Sequence, residues 1–360
     1  TRAAFLLDRV MAPVGLSGQS FLPLLLGFGC NVPGVYATRA LDRRRDRVIT
    51  ALLVPFVSCA ARLPVYVLLA TIFFARASGT VVFAMYLLSI VTVLVLSAVL
   101  DRLVLRSERG SSFILELPAY RRPTARVLAG YVGQRVGAFL KEAGPVILLG
   151  SVIIWLLLAI PVDGDGSFND TDLDDSALAA TARVAAPALE PAGLGSWEVT
   201  GTLVTGLVAK EVVVASFWQV YDVEPEGEAT PQEEPTLGEE FAESGIGLLN
   251  AFGDAALALP AMVGLELGGE DAAEEETGLA APLRSGLTAS SGGYPAVAAL
   301  ALMVFVLLYV PCFATVGALK QELGARWALL SVALSLSLAW VGATAVFQGG
   351  RLLSQMLGWG

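Results

Sequence analysis

Residues 80–100 read TVVFAMYLLSIVTVLVLSAVL, 21 consecutive positions without a charged side chain. About 20 apolar residues let an α-helix cross the hydrocarbon of a bilayer, and within that layer every backbone N–H and C=O must find a partner inside the protein. Similar runs recur at 143–160, 295–319 and 327–347, while stretches at 20–38, 48–74 and 199–220 are long enough but interrupted by polar groups. The sequence therefore predicts an all-α polytopic membrane bundle of about seven spans. With 55% hydrophobic residues and a mean hydropathy of +0.69, the chain is too apolar for an ordinary soluble domain. It begins at Thr1 with no charged-then-apolar leader before the first run, and is expected to be part of a longer polypeptide.

The interruptions carry the chemistry. GFGCNVPGVYATR (27–39) places Cys30, Asn31, Pro33 and three glycines, Gly29 among them, in the middle of an apolar stretch. Gly and Pro free backbone groups, which is tolerable at membrane depth only where protein or a water-filled cavity satisfies them. VITALLVPFVSCAARLPVYVLLATIFF (48–74) holds Cys59 and Arg62 between two prolines. A mid-membrane charge costs at least about 2.5 kcal/mol, so Arg62 is expected to face the bundle interior and mark a pathway or a partner. In VTGLVAKEVVVASFW, Lys210 and Glu211 point about 100° apart on a helix, so at least one must reach another helix. Lys141 and Glu142 form a parallel pair in LKEAGPVIL. A further echo links CNVPGVYATRAL to PCFATVGALKQEL, which begins with Pro311 and Cys312. Helix-breaking segments repeated in two halves point to a transporter site near the midplane.

Charge is distributed unevenly. Residues 161–293 hold 25 of the 33 acidic residues and only Arg183, Lys210 and Arg284 on the basic side. The remaining chain is basic, with clusters at 39–47 and 102–126 that should face the cytoplasm and touch anionic lipid. Nucleic acid is not needed to explain them. The runs 163–175, 224–235 and 268–277 read as solvated, low-complexity loops, and 222–292 is expected to be dispensable for folding. A D-x-D-G string in the first lacks the spacing and closing Glu of a calcium loop. Three lysines against twenty arginines, with the acidic loops, suggest adaptation to high salt. Counting seven spans with 39–47 inside puts 320–326 outside, against its own positive bias. A re-entrant broken segment, or insertion of 245–265, would resolve the conflict.

The chain has no histidine and no GxxxxGK[ST] string. Ser-His-Asp and Cys-His catalysis, HExxH zinc sites and a P-loop are therefore absent from it, and it is not expected to be an enzyme. Thiol, carboxylate and amide groups at helix breaks suit a borderline divalent transition metal: Fe(II), with Mn(II) or Zn(II) as competitors. Three cysteines inside spans, Cys30, Cys59 and Cys312, can equally be small apolar filler.

SFLPLLLGFGCNVPGVYATRALDRRRDR, PFVSCAARLPVYVLLATIFF, LELPAYRRPT, GPVILLGSVIIWLL, GLVAKEVVV and FVLLYVPCFATVGALKQELGARWAL, in this order, resemble the membrane region of the prokaryotic ferrous-iron transporter B family. The resemblance implies a multi-pass permease of the cytoplasmic membrane with broken helices in two inverted gate-type motifs, importing Fe(II). It implies coupling to a cytoplasmic GTPase domain or subunit, with GTP bound only there and no cofactor held permanently by this chain. Carried over by position, Cys30, Asn31, Cys59, Glu211 and Cys312 become metal ligands, and Gly29, Pro33, Arg62, Glu142, Lys210 and Pro311 pathway or gating residues. The division expected is a first membrane part (1–160), an acidic loop (161–197), a broken helix with AKE (198–220), an acidic insertion (221–293) and a C-terminal membrane part (294–360). Membrane lipid, the GTPase and further copies of the chain are the partners to expect. Two alternatives stay open at this point: a gate-type permease for another divalent metal or an organic solute such as a nucleoside, and a non-conducting scaffold for a separate GTPase.

Overall fold

The expected apolar runs become helix in the computed structural model, which describes residues 8–9, 11–103, 124–162, 173–208, 210, 212–221 and 277–357. The first half holds α1 (Phe21–Gly29), α2 (Asn31–Ala37), α3 (Arg44–Leu53), α4 (Leu63–Phe74), α5 (Ser78–Leu103) and α6 (Ala125–Ala159). The second holds α7 (Ala177–Leu189), α8 (Trp197–Thr205), α9 (Val212–Val220), α10 (Thr277–Ser291), α11 (Pro295–Leu308), α12 (Phe313–Leu323) and α13 (Ala325–Leu357). Among the described residues there is no strand, only an isolated bridge between Pro161 and Ser176.

Among the described residues, three helical stretches are long and apolar enough to cross a membrane: Arg44–Arg102, Pro295–Leu323 and Ala325–Met356. The chain is a multi-pass membrane protein. The first stretch contains two of the expected spans, because α5 packs back on α4 beyond the turn Ala75–Ala77. The most apolar 18 residues of Pro295–Leu323 are 67% buried against 28% and 22% for those of the other two, which puts this stretch at the centre of the bundle. Accordingly α11 is apolar all round, as a helix enclosed by others must be, with Ala298, Leu302, Phe305 and Val306 inward on different sides. On α5 and α13, Phe83, Leu87, Val95, Leu329, Leu336 and Val341 point outward. These faces meet lipid tails, which are as apolar as leucine.

Within 161–197, expected to be an acidic loop, α7 is a helix whose N-cap Ser176 accepts from Ala179 N–H at 3.2 Å. Its Leu178, Ala179 and Ala182 are buried, and it packs on α8. The acidic residues that suggested a loop stand before the helix, at 163–175, while ALAATARVAAPAL itself carries none. The turn that follows is tied to α13, where Trp340 Nε1 donates to Ala188 O and Gln348 Nε2 to Pro191 O, each at 2.8 Å.

Within 221–293, α10 buries Leu279, Leu283 and Leu287, spaced by four and so on one face. It packs on α11 and α9, Arg284 donates to Ile72 O of α4, and Ser290 Oγ donates to Gly193 O at 3.1 Å. The expectation that 222–292 can be dispensed with therefore fails for 277–292. The runs 224–235 and 245–265 lie outside the described residues.

The conflict over sidedness is addressed by one set of contacts. Arg39, just after α2, is ion-paired with Glu322 near the end of α12, and Tyr36 Oη donates to Gln321 Oε1 at 3.0 Å. Residues 39–47 and 320–326 thus share one face of the bundle, where a count of seven spans separates them. Both α2 and α12 end at that common face.

Candidate functional site

Four helix breaks face the interior or its edge, and the cysteines mark three of them. Cys30 separates α1 from α2 with extended backbone (φ −149°, ψ 134°). Pro33 falls in the first turn of α2, where an N–H would have no intrahelical acceptor. Asn31 is 4% exposed. Oriented to satisfy its neighbours, its amide donates to Gly27 O at 3.0 Å and Val54 O at 3.2 Å. Gly34 lets the two half-helices touch, since a Cβ there would lie 3.0 Å from Pro23 O. Cys30 itself is exposed, as are Gly29 and Pro33.

The second break runs from Val57 to Cys59, between the turns Val54–Phe56 and Ala60–Arg62. It frees carbonyls, and Arg62 answers them. Fully buried, its guanidinium donates from Nη1 to Val57 O and from Nη2 to Pro55 O, both at 3.0 Å. Ser89 of α5 completes the repair by accepting from Ser58 N–H and donating to Phe56 O, each at 2.9 Å. Buried polar groups are hydrogen-bonded as a rule, and here side chains take the place of the lost helix ladder.

The third and fourth breaks are stitched together. Helix α8 stops at Thr205 and α9 resumes at Val212; α11 stops at Leu308 and α12 resumes at Phe313, behind buried Pro311. Phe313 N–H donates to Leu207 O at 3.0 Å, across the two breaks. Cys312 is the extended residue that opens α12 (ψ 153°), with its Sγ 3.2 Å from Thr315 Oγ1. Lys210, 3% exposed, places its Nζ 4.2 Å from the centroid of the Tyr309 ring. When desolvated, such a cation–π contact is worth about 2 kcal/mol.

Tyr309 is where three of the breaks meet. Arg62, Cys312, Cys59 and Tyr66 lie within electrostatic reach of it. A Cβ on Gly206 would sit 2.5 Å from its hydroxyl, so only glycine admits the ring at this depth. Buried at 3% exposure, that hydroxyl has no hydrogen-bond partner among the described residues. The first break adjoins this group through the bonds of Asn31 to Gly27 and Val54 and through the packing of α2 on α12. Cys59, Arg62, Lys210 and Cys312 are thus brought together, and Cys30 stands apart at the edge. Among the described residues no three Cys, Asp or Glu side chains form a metal-holding group. Glu211 lies outside the described residues, and of Glu142 only its place in α6 is described. Sequence reasoning missed Tyr309 and Ser89. The signal for Tyr309 was present, as a polar-tipped ring two residues before Pro311-Cys312 in an apolar run.

A family model described as nucleoside recognition, the Gate model, matches residues 1–73 and 140–326, more than half of the chain. The model for the C terminus of ferrous iron transport protein B matches 82–135. The chain belongs to the Gate family and matches the C-terminal region of ferrous iron transport protein B. Among its relatives is the Fe(2+) transporter FeoB of Salmonella paratyphi A, 36% identical over 351 residues, covering 96% of this chain and 44% of that protein. The Fe(2+) transporter FeoB of Staphylococcus aureus strain COL is 32% identical over 352 residues, covering 98% and 44%. A Fe(2+) transport protein A/Fe(2+) transporter FeoB fusion protein of Porphyromonas gingivalis is 32% identical over 384 residues, covering 98% and 40%. The chain thus spans less than half the length of the curated relatives it matches. No solved structure gives a significant match.

Proposed function

We propose that the chain is the membrane part of a cell-membrane importer of Fe(II), a transporter and not itself an enzyme. The observation that carries this reading is the placement of all three cysteines as the extended residue opening a helical turn, at Cys30, Cys59 and Cys312, with the last two converging on Tyr309. The relatives' names, Fe(2+) transporter, support it. In this reading Cys30, Asn31, Cys59, Cys312 and Glu211 are successive ligands for the ion as it sheds water, one thiol at a time with backbone oxygens freed at the breaks. Gly29, Pro33 and Pro311 keep the breaks open, Arg62 holds the second one in shape, and Lys210 with Glu142 flanks the path. Import is coupled to a cytoplasmic GTPase domain or subunit outside this chain, consistent with the greater length of the relatives. The excess of carboxylates and the twenty arginines against three lysines support a habitat of high salt.

The test is Fe(II) uptake into proteoliposomes, with and without an added GTPase partner, for Cys→Ala and Cys→Ser variants at each position. Fe(II) should protect the thiols from a membrane-permeant alkylating reagent while Mg(II) does not. Equal labelling with and without Fe(II), together with full uptake by the triple Ala variant, would remove thiol coordination from the mechanism. The Gate family's description as nucleoside recognition favours a second reading, passage of a nucleoside. Competition of uptake by nucleoside, with no response to Mn(II) or Zn(II), would select it.

A further inference from the structure

Where α2 and α12 finish, a cavity of about 210 Å³ is lined by Asp42, Arg44, Arg47, Glu322, Leu323 and Trp327, together with buried Val48. All three membrane-length stretches have an end here: Arg44–Arg102 starts at Arg44, Pro295–Leu323 stops at Leu323, and Ala325–Met356 starts at Ala325. Pro295–Leu323 and Ala325–Met356, at 29 and 32 residues, are longer than the about 20 that cross the hydrocarbon, so their ends reach the headgroup layer and the cavity lies at the depth of lipid phosphates. Trp327 is an amphipathic ring of the kind that favours this depth. Its volume falls below the roughly 300–1,000 Å³ of pockets for drug-sized ligands, which suits a headgroup and not a nucleotide.

The lining charges are not equivalent. Glu322 is already paired with Arg39. Arg47 donates from Nη2 to Leu41 O at 3.3 Å, and its Nε is buried with no hydrogen-bond partner among the described residues. Arg44 is exposed, and Asp42 accepts a long bond of 3.5 Å from Gln19 Nε2. Guanidinium groups match phosphate oxygens in geometry and charge. A carboxylate beside them matches a primary ammonium, which offers three N–H donors.

We propose that this cavity is a headgroup site for an aminophospholipid, with Arg44 and Arg47 holding the phosphate and Asp42 the ammonium. Phosphatidylethanolamine fits it. Phosphatidylcholine presents the same phosphate but a trimethylammonium with no N–H, and phosphatidylglycerol offers Asp42 only neutral hydroxyls, with no charge to pair with the carboxylate.

The full chain, purified in detergent and offered each lipid in mixed micelles, is read by native mass spectrometry of retained lipid. The wild type should retain phosphatidylethanolamine about fivefold over phosphatidylcholine and phosphatidylglycerol. Arg44→Gln and Arg47→Gln should each lower its retention about fivefold, and Asp42→Asn should bring it down to the phosphatidylcholine level. Arg44 is exposed, so Arg44→Gln tests the site without disturbing a core. Equal retention of the three lipids by the wild type, or undiminished phosphatidylethanolamine in Arg44→Gln, overturns the proposal. Displacement of the lipid by excess inorganic phosphate overturns it too, in favour of a free-phosphate site.

Discussion

Arg62 is a buried charge whose partners are backbone. Breaking a helix twice around Pro55 and Pro64 frees carbonyls that water cannot reach, and one planar guanidinium satisfies two of them in fixed geometry. Hydrogen bonds to charged groups are worth about 1.5–3 kcal/mol each. Arg62→Lys, which has no fork, should therefore lower stability by about 2 kcal/mol or more, seen as an earlier thermal transition in detergent. Tyr309 is the opposite case. Its hydroxyl, with no partner among the described residues, carries a desolvation penalty of about 1–3 kcal/mol, so Tyr309→Phe should leave the melting temperature unchanged or raise it while Fe(II) uptake falls. Uptake at the wild-type rate would reduce Tyr309 to a packing residue. Cys30, Asn31 and Arg62 were legible because polar residues in apolar runs stand out. Ser89 was not, since a serine inside the clean run 80–100 gains meaning only from the break it faces across the bundle.

At the scale of elements, the breaks were readable and one helix was not. Proline, glycine and polar clusters announced the interruptions near Cys30, Cys59, Lys210 and Cys312. Helix α10 follows a strongly acidic run, and composition averaged over 221–293 concealed its leucine stripe; the four-residue spacing of Leu279, Leu283 and Leu287 was the available signal. Leu283→Ala should cost about 2–5 kcal/mol, as for other fully buried leucines, and reduce monodisperse yield. Replacing 224–243 by a short Gly/Ser linker should leave yield and monodispersity unchanged in size-exclusion chromatography. Aggregation of the linker variant in high salt would show that this segment packs on the body.

On the scale of the whole molecule, the clasp between the ends of α2 and α12 decides which loops share a face, something no count of apolar runs could decide. Parity fails when half-helices stop and restart inside the bundle. The clasp is asymmetric, with the Arg39 side chain 50% exposed and that of Glu322 6%. Arg39→Ala leaves a nearly buried carboxylate without its cation, whereas Glu322→Ala leaves an arginine that can turn to water. The first should therefore destabilise the bundle by about 1–3 kcal/mol more than the second, and a double-mutant cycle on thermal unfolding would measure the coupling directly. Equal effects would place the pair in solvent. Tyr36 and Gln321 stand 285 positions apart, and that separation is also an interval of time. At about 5–20 residues per second of synthesis, roughly 15–60 s pass before α12 emerges to meet α2. Throughout that wait a newborn chain holds Cys30 and its half-helix in the bilayer without their mate, which makes the first-made half of the clasp the one most in need of a chaperone.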